Sequence, residues 1–348
     1  MCAYSAIAAK ERELANAESL IRSYHSRVGF LCNKREGFPA HIVEEITEAA
    51  NQTMPLLRLG SHHLSRLIYT IIISRYIVVY DYQRIIQYCD EALDSFPKDH
   101  PNGRSLRFVF LYNKIPPLVA LGRTDEAKIM ARKAGETVPV GNFNWHMALQ
   151  KRITVCLHSG DYQEAYDLYK AHSQYKPSET MLIEYWSILE GFLYFLVKQG
   201  HIEPYAKERF SIGKFMNEVP LYSKDKAGHN INILIIQILT WMQREQYGRV
   251  IDRTESLKEY ARKYTRNPET KRANLFIQMV LRMEHAQFHR MRTENKTKRL
   301  RQQLNKTPLC YGQNLAVEII PYSVLWEEML LMLRDQPRAR TVRKAPTR

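Results

Sequence analysis

Three stretches of the chain carry the same punctuation. Gly160 to Pro177 reads GDYQEAYDLYKAHSQYKP, Gly122 to Pro139 reads GRTDEAKIMARKAGETVP, and Tyr80 to Pro97 reads YDYQRIIQYCDEALDSFP; 17 residues separate first from last in each. Gly160 can end one helix, because glycine takes the left-handed conformation that follows a helix C-terminus. Asp161 can cap the next, with Glu164 as its reciprocal partner. Tyr162, Ala165, Tyr166 and Tyr169 fall at helical spacing and make one apolar face. Pro177 stops the helix. Ala127, Ala131 and Ala134 give Gly122 to Pro139 a face of small residues. Asp81, Tyr82 and Gln83 repeat Asp161, Tyr162 and Gln163 in register. A unit that recurs in this way predicts stacked helix pairs.

The small-residue and terminal-proline positions resemble the second helix of the tetratricopeptide repeat. Successive prolines stand 42 and 38 residues apart, somewhat longer than the family's period of about 34. Trp186, Leu189, Gly191 and Tyr194 echo the family's first-helix pattern with one residue too many. The resemblance runs from Arg66 to Pro268 with decreasing clarity, so the repeats read as degenerate. It implies an all-α, right-handed α-α superhelix whose concave groove holds a protein or peptide partner. Mapped onto this chain, groove-facing positions are Tyr112, Gln150 and Thr154, with Thr70 and Ser74 from the Tyr80 frame. Such a groove binds by preformed shape and a few polar anchors.

Around the repeats, residues 1–60 read as N-terminal helices (5–27 and 40–51) joined by a turn at 33–39. Residues 61–268 form the repeat array. Its first helices are expected over 61–79, 104–121 (kinked or broken at Pro116-Pro117), 145–159, 181–199 and 230–244, with a helix after Gly200 and another over 247–264. Turns or loops are expected at 98–103, 138–144 and 218–228. Residues 269–335 read as basic helices (269–292 and 295–305), a short strand over 315–320 and a closing helix over 323–333. That helix, with Trp326 and Leu330 on one face, would cap the exposed end of the array. Residues 336–348 read as a disordered basic tail.

Charge is the second signal. The formal net charge is +15, and residues 246–348 hold 22 Lys and Arg against 10 Asp and Glu. Arg290, Arg292, Lys296, Lys298, Arg299 and Arg301 form a dense run, suited to nucleic acid or another acidic partner, or simply to a solvated helix face. Tyr260 and Tyr264 beside Arg262, Lys263 and Arg266 are the candidates for base stacking.

The five cysteines are scattered without CxxC spacing, which argues against a disulfide scaffold or a structural zinc and for a reducing, cytoplasmic setting. The apolar runs Leu67–Tyr80 and Ile231–Met242 are too short to span a bilayer. His285 and His289 lie one helical turn apart but lack the order of a metalloprotease motif, and His62-His63 point to different sides. No phosphate loop or nucleophile motif occurs. The reading is a non-enzymatic interaction module with no cofactor and no metal. The alternative is a nucleic-acid-associated protein working through residues 246–348.

Overall fold

A computed structural model describes residues 2–32, 38–96, 103–205, 211–218, 229–264, 270–310 and 318–335. Fifteen α-helices follow one another: α1 (Cys2–Cys32), α2 (Ala40–Thr53), α3 (His62–Ile77), α4 (Tyr82–Ser95), α5 (Gly103–Ala120), α6 (Thr124–Glu136), α7 (Phe143–Ser159), α8 (Tyr162–His172), α9 (Thr180–Lys198), α10 (Ile212–Glu218), α11 (His229–Gln243), α12 (Tyr247–Tyr264), α13 (Lys271–His285), α14 (Arg290–Lys306) and α15 (Tyr322–Leu331). Most pack mainly on their chain neighbours, α1 leans more on α3 and α9 more on α11, and α5, α7, α9 and α11 touch in sequence to form one layer.

A single turn joins the helix pairs. Tyr80, Gly122, Gly160, Gly200, Glu245 and Gln287 all have positive φ, between 55° and 81°, and stand 42, 38, 40, 45 and 42 residues apart. After each, the next N–H donates to the carbonyl five residues back: Asp81 to Tyr76, Arg123 to Leu118, Asp161 to Cys156, His201 to Leu196, Gln246 to Trp241 and Phe288 to Met283. This bond, characteristic of a Schellman stop, satisfies a helix-end carbonyl and turns the chain back on itself. The recurrence therefore extends to six units.

Three apolar clusters meet at α7. One runs from Ala17 on α1 to Ala148 on α7, another from Trp145 on α7 to Leu333, and a smaller one gathers Ile86 and residues of α5 and α6 on Val155 of α7. Ala127, Ala131, Ala134 and Ala165 are all buried, as their spacing predicts. Residues 231–242 are buried throughout. Pro116 and Pro117 lie within α5, which continues past them to Ala120.

Several expectations are corrected. The helix expected over 269–292 is two helices: Gln287 (φ 56°) and Phe288 (φ 53°) break it, and Phe288 is buried against Tyr247 with ring centroids 4.6 Å apart. His285 and His289 thus sit on either side of a turn. The helix expected after Gly200 is present as α10, which begins at Ile212 and not directly after the glycine. Residues 201–205 are non-helical, with Pro204 among them, and α9 packs directly on α11. Asp161 holds the N-cap position of α8 without a capping bond. Its carboxylate instead takes Lys128 and Ser159, and Lys128 also reaches Glu164 at 3.1 Å. An ammonium is a stronger partner for a carboxylate than a neutral backbone N–H. Asp81, by contrast, does cap α4 through the Arg84 N–H. Residues 318–320 are not a strand. The rest of that expected strand, the turns at 33–37 and 98–102, the loop at 219–228 and the tail 336–348 lie outside the described residues.

The C-terminal part does more than close one end. Leu309 packs against the cluster that contains Ile86, Ile115, Leu118 and Val119, and its carbonyl accepts from the Tyr82 hydroxyl at 3.1 Å. The Glu318 carbonyl meets His158 Nε2 at 2.6 Å, and Glu328 meets His201 at 2.8 Å. Arg334 pairs with Glu245, and its carbonyl accepts the Arg290 N–H at 3.0 Å. Leu309, Glu318, Glu328 and Arg334 thus meet the edge that carries the recurrent turns in repeat order.

Candidate interaction surfaces

The positions assigned to the groove lie on α3, α5 and α7. Ser74, Gln150 and Thr154 are buried, and Thr70 and Tyr112 are half-buried. The hydroxyls of Thr70, Ser74 and Thr154 each donate to the carbonyl one turn back on their own helix. Thr154 Oγ1 also lies 2.7 Å from the Tyr185 hydroxyl on α9. The Lys151 ammonium stands 5.2 Å from the centroid of the Tyr112 ring. Tyr112, Lys151, Thr154 and Tyr185 therefore form one polar seam between α5, α7 and α9. Burial lowers the Lys151 amine to about 7 and lifts the Tyr185 phenol to about 12. Beyond Tyr185, His229 on α11 meets Glu184 at 3.2 Å. This layer is tightly packed polar structure, with Ser74, Gln150 and Thr154 withdrawn from solvent.

Exposed apolar groups gather on the far edge, where second helices hand over to the next first helix. Val140 is 60% exposed, Ile183 47%, Met181 45%, Tyr175 41% and Phe143 40%. Tyr175 packs on Trp145 with ring centroids 5.3 Å apart, and a side chain at Gly141 would meet its ring. Gly141 has φ of 80°, which favours glycine there, while a β carbon would only touch the ring at ordinary contact distance, 3.7 Å. Sequence reading placed a loop here without its exposed aromatic groups; the signal was Val138 and Val140 on either side of Pro139, with Tyr175 two residues before Pro177.

The third surface is α14. Its buried stripe is Thr293, Thr297, Leu300 and Leu304. Of the basic run, Arg292, Lys296, Lys298 and Arg299 are exposed, while Arg290 and Arg301 are half-buried. Arg301 is held by Glu327 of α15 at 2.6 Å. Tyr260 is half-buried against the core, which leaves less of its ring for stacking. The Tyr264 side chain lies outside the described residues.

An open cleft of about 590 Å³ between α4, α5 and α6 is lined by Asp90, Asp94, Arg104, Arg107, Lys114 and Lys133 among others. Lys114 pairs with Asp90, and Arg107 donates to the Leu93 carbonyl at 2.7 Å. Charges of both signs line it, several already engaged within the chain. Among the described residues no group of three His, Cys, Asp or Glu is placed to hold a metal. Among the described residues one helix, Thr180–Lys198, is long and apolar enough to cross a membrane, and half of its apolar window is buried within the fold.

These features define an all-α protein of repeated helix pairs. No protein-family model, no curated protein and no solved structure matches the chain.

Proposed function

We propose that the chain is a non-enzymatic interaction module: a right-handed, tetratricopeptide-like superhelix that holds a protein or peptide partner. The observation that carries this is the far edge, where Val140, Phe143 and Tyr175 stand exposed around Gly141. Aromatic and aliphatic side chains clustered at a surface are the usual anchors of protein interfaces. The seam of Tyr112, Lys151, Thr154 and Tyr185 serves as the rigid support, since Thr154 and Tyr185 are already hydrogen-bonded within it. The contact surface is therefore the edge beside that seam, and the partner is a protein with a complementary apolar segment.

The test is a comparison of wild type with a Val140→Ser/Phe143→Ser variant. Both are used as bait after nuclease treatment and at high salt. The proposal expects a defined partner lost by the variant while the melting temperature stays unchanged. Equal capture by both proteins refutes it. A homodimer that only the wild type forms reassigns the edge to self-association.

A further inference from the structure

We infer that the exposed face of α14 is a docking surface for duplex nucleic acid, held by its phosphate backbone. Ten residues of this helix are exposed: five cations (Arg292, Lys296, Lys298, Arg299, Lys306), four amides (Asn295, Gln302, Gln303, Asn305) and Met291. There is no carboxylate among them. A merely solvated helix mixes signs, because opposite charges one turn apart stabilise it and like charges destabilise it. The exposed face of α6 follows that rule with Asp125, Glu126, Arg132, Lys133 and Glu136. On α14, Arg292 faces Lys296 one turn on, and Lys296 faces Arg299. Lys296 also donates to the His285 carbonyl at 2.8 Å, at the end of α13, which holds it beside Arg292 and Arg299 despite their like charge.

The elements packed against α14 do not neutralise this face. Glu294 and Glu327 both turn to Arg301 at its margin. On α13, Arg282 donates to the Lys296 carbonyl at 2.7 Å and adds a further cation beside the face. Arg292, Lys296, Arg299, Gln303 and Lys306 follow one line, alternately four and three residues apart. The line is about 21 Å long at 1.5 Å per residue, comparable with six phosphate spacings along one strand. The face carries no aromatic ring. Single-strand binding depends on stacked bases, so cations interleaved with amides favour a duplex, read through phosphates.

The experiment titrates the full chain against a fluorescent 30-base-pair duplex of mixed sequence over a series of salt concentrations. It runs wild type, Lys296→Gln/Lys298→Gln/Arg299→Gln on α14, and Arg132→Gln/Lys133→Gln on α6. Each lost phosphate contact reduces the slope of log affinity against log salt by about 0.9. The α14 variant is expected to bind at least tenfold more weakly near 0.1 M salt, with a slope shallower by about 2 to 3; the α6 variant should match wild type. Equal losses in the two variants mean diffuse charge and overturn the inference. So does tighter binding to poly-glutamate or to phosphatidylserine vesicles than to the duplex, and a preference for single strands overturns the duplex assignment.

Discussion

Arg272 and Glu318 meet in a two-point ion pair, with Nη2 2.7 Å from Oε1 and Nε 2.8 Å from Oε2. Both side chains are nearly out of solvent, at 11% and 6% exposure. The third guanidinium nitrogen donates to the Leu304 and Thr307 carbonyls, and the carboxylate accepts the Tyr322 N–H at 2.8 Å. One pair thus fixes the end of α14, the start of α15 and the start of α13. Removing one partner leaves a buried charge, which costs about 3–5 kcal/mol. Arg272→Met and Glu318→Gln should each lower stability to urea by that order. The double variant Arg272→Met/Glu318→Leu should recover much of the loss. A double variant no better than the worse single variant would show that the pair acts only through the backbone contacts it organises.

Gly191 sets the distance between α9 and α11. A β carbon there would stand 2.9 Å from Ile236 Cδ1 and 3.1 Å from its Cγ2. Gly191→Ala gains helix propensity, about 1 kcal/mol, but overpacking costs roughly 1–3 kcal/mol. A net loss near 1 kcal/mol is expected by urea denaturation. Ile236→Val removes the nearer contact, so Gly191→Ala should cost less in that background, as a double-mutant cycle would measure.

The six turns differ in how well their residue suits the left-handed backbone. Nothing lies within 4 Å of a β carbon built on Gly160, so Gly160→Ala probes backbone strain alone. It should cost roughly 1–2 kcal/mol. Gln287→Gly relieves the same strain where a side chain already bears it (φ 56°). Its melting temperature should rise, with the gain held to about 1 kcal/mol by the greater freedom of glycine in the unfolded chain.

Lys151 makes stability depend on pH. Unfolded, its amine keeps a proton up to about pH 10; folded, only to about 7, because burial disfavours the charge. Between those values the unfolded chain holds more protons, so this residue makes stability rise with pH. Below pH 7 both states are charged and the full burial cost applies. Lys151→Met removes that cost. The stability gap between variant and wild type should be on the order of 3 kcal/mol at pH 7 and shrink toward pH 8.5. A gap independent of pH would show that Lys151 is charged in the folded chain throughout.

Much of the fold was legible where glycine marks the turn. Gly122, Gly160 and Gly200 announced helix ends, and Ala127 and Ala165 announced close packing. The turns at Glu245 and Gln287 carried no such mark. Glu245 was passed over between two correctly placed helices, and Gln287 disappeared inside one long helix. In both places backbone bonds and, for the second, the Phe288–Tyr247 contact hold a conformation that local preference opposes. The surfaces were less legible. Thr154 looks like a groove hydroxyl in sequence, but its Tyr185 partner is 31 residues away and closes the position. The basic run on α14 was visible from composition. Which of its cations stand free of carboxylates depends on where Glu294 and Glu327 turn, and sequence alone did not settle that.

The contact between Tyr82 and Leu309 bridges 227 residues. On a ribosome adding about 5–20 residues per second, roughly 10–45 s pass between the two. Throughout that interval the nascent first units present Ile86, Ile115 and Val119 without the side chain that later packs on them. A chaperone meeting the growing chain therefore encounters an apolar seat that the finished molecule fills for itself.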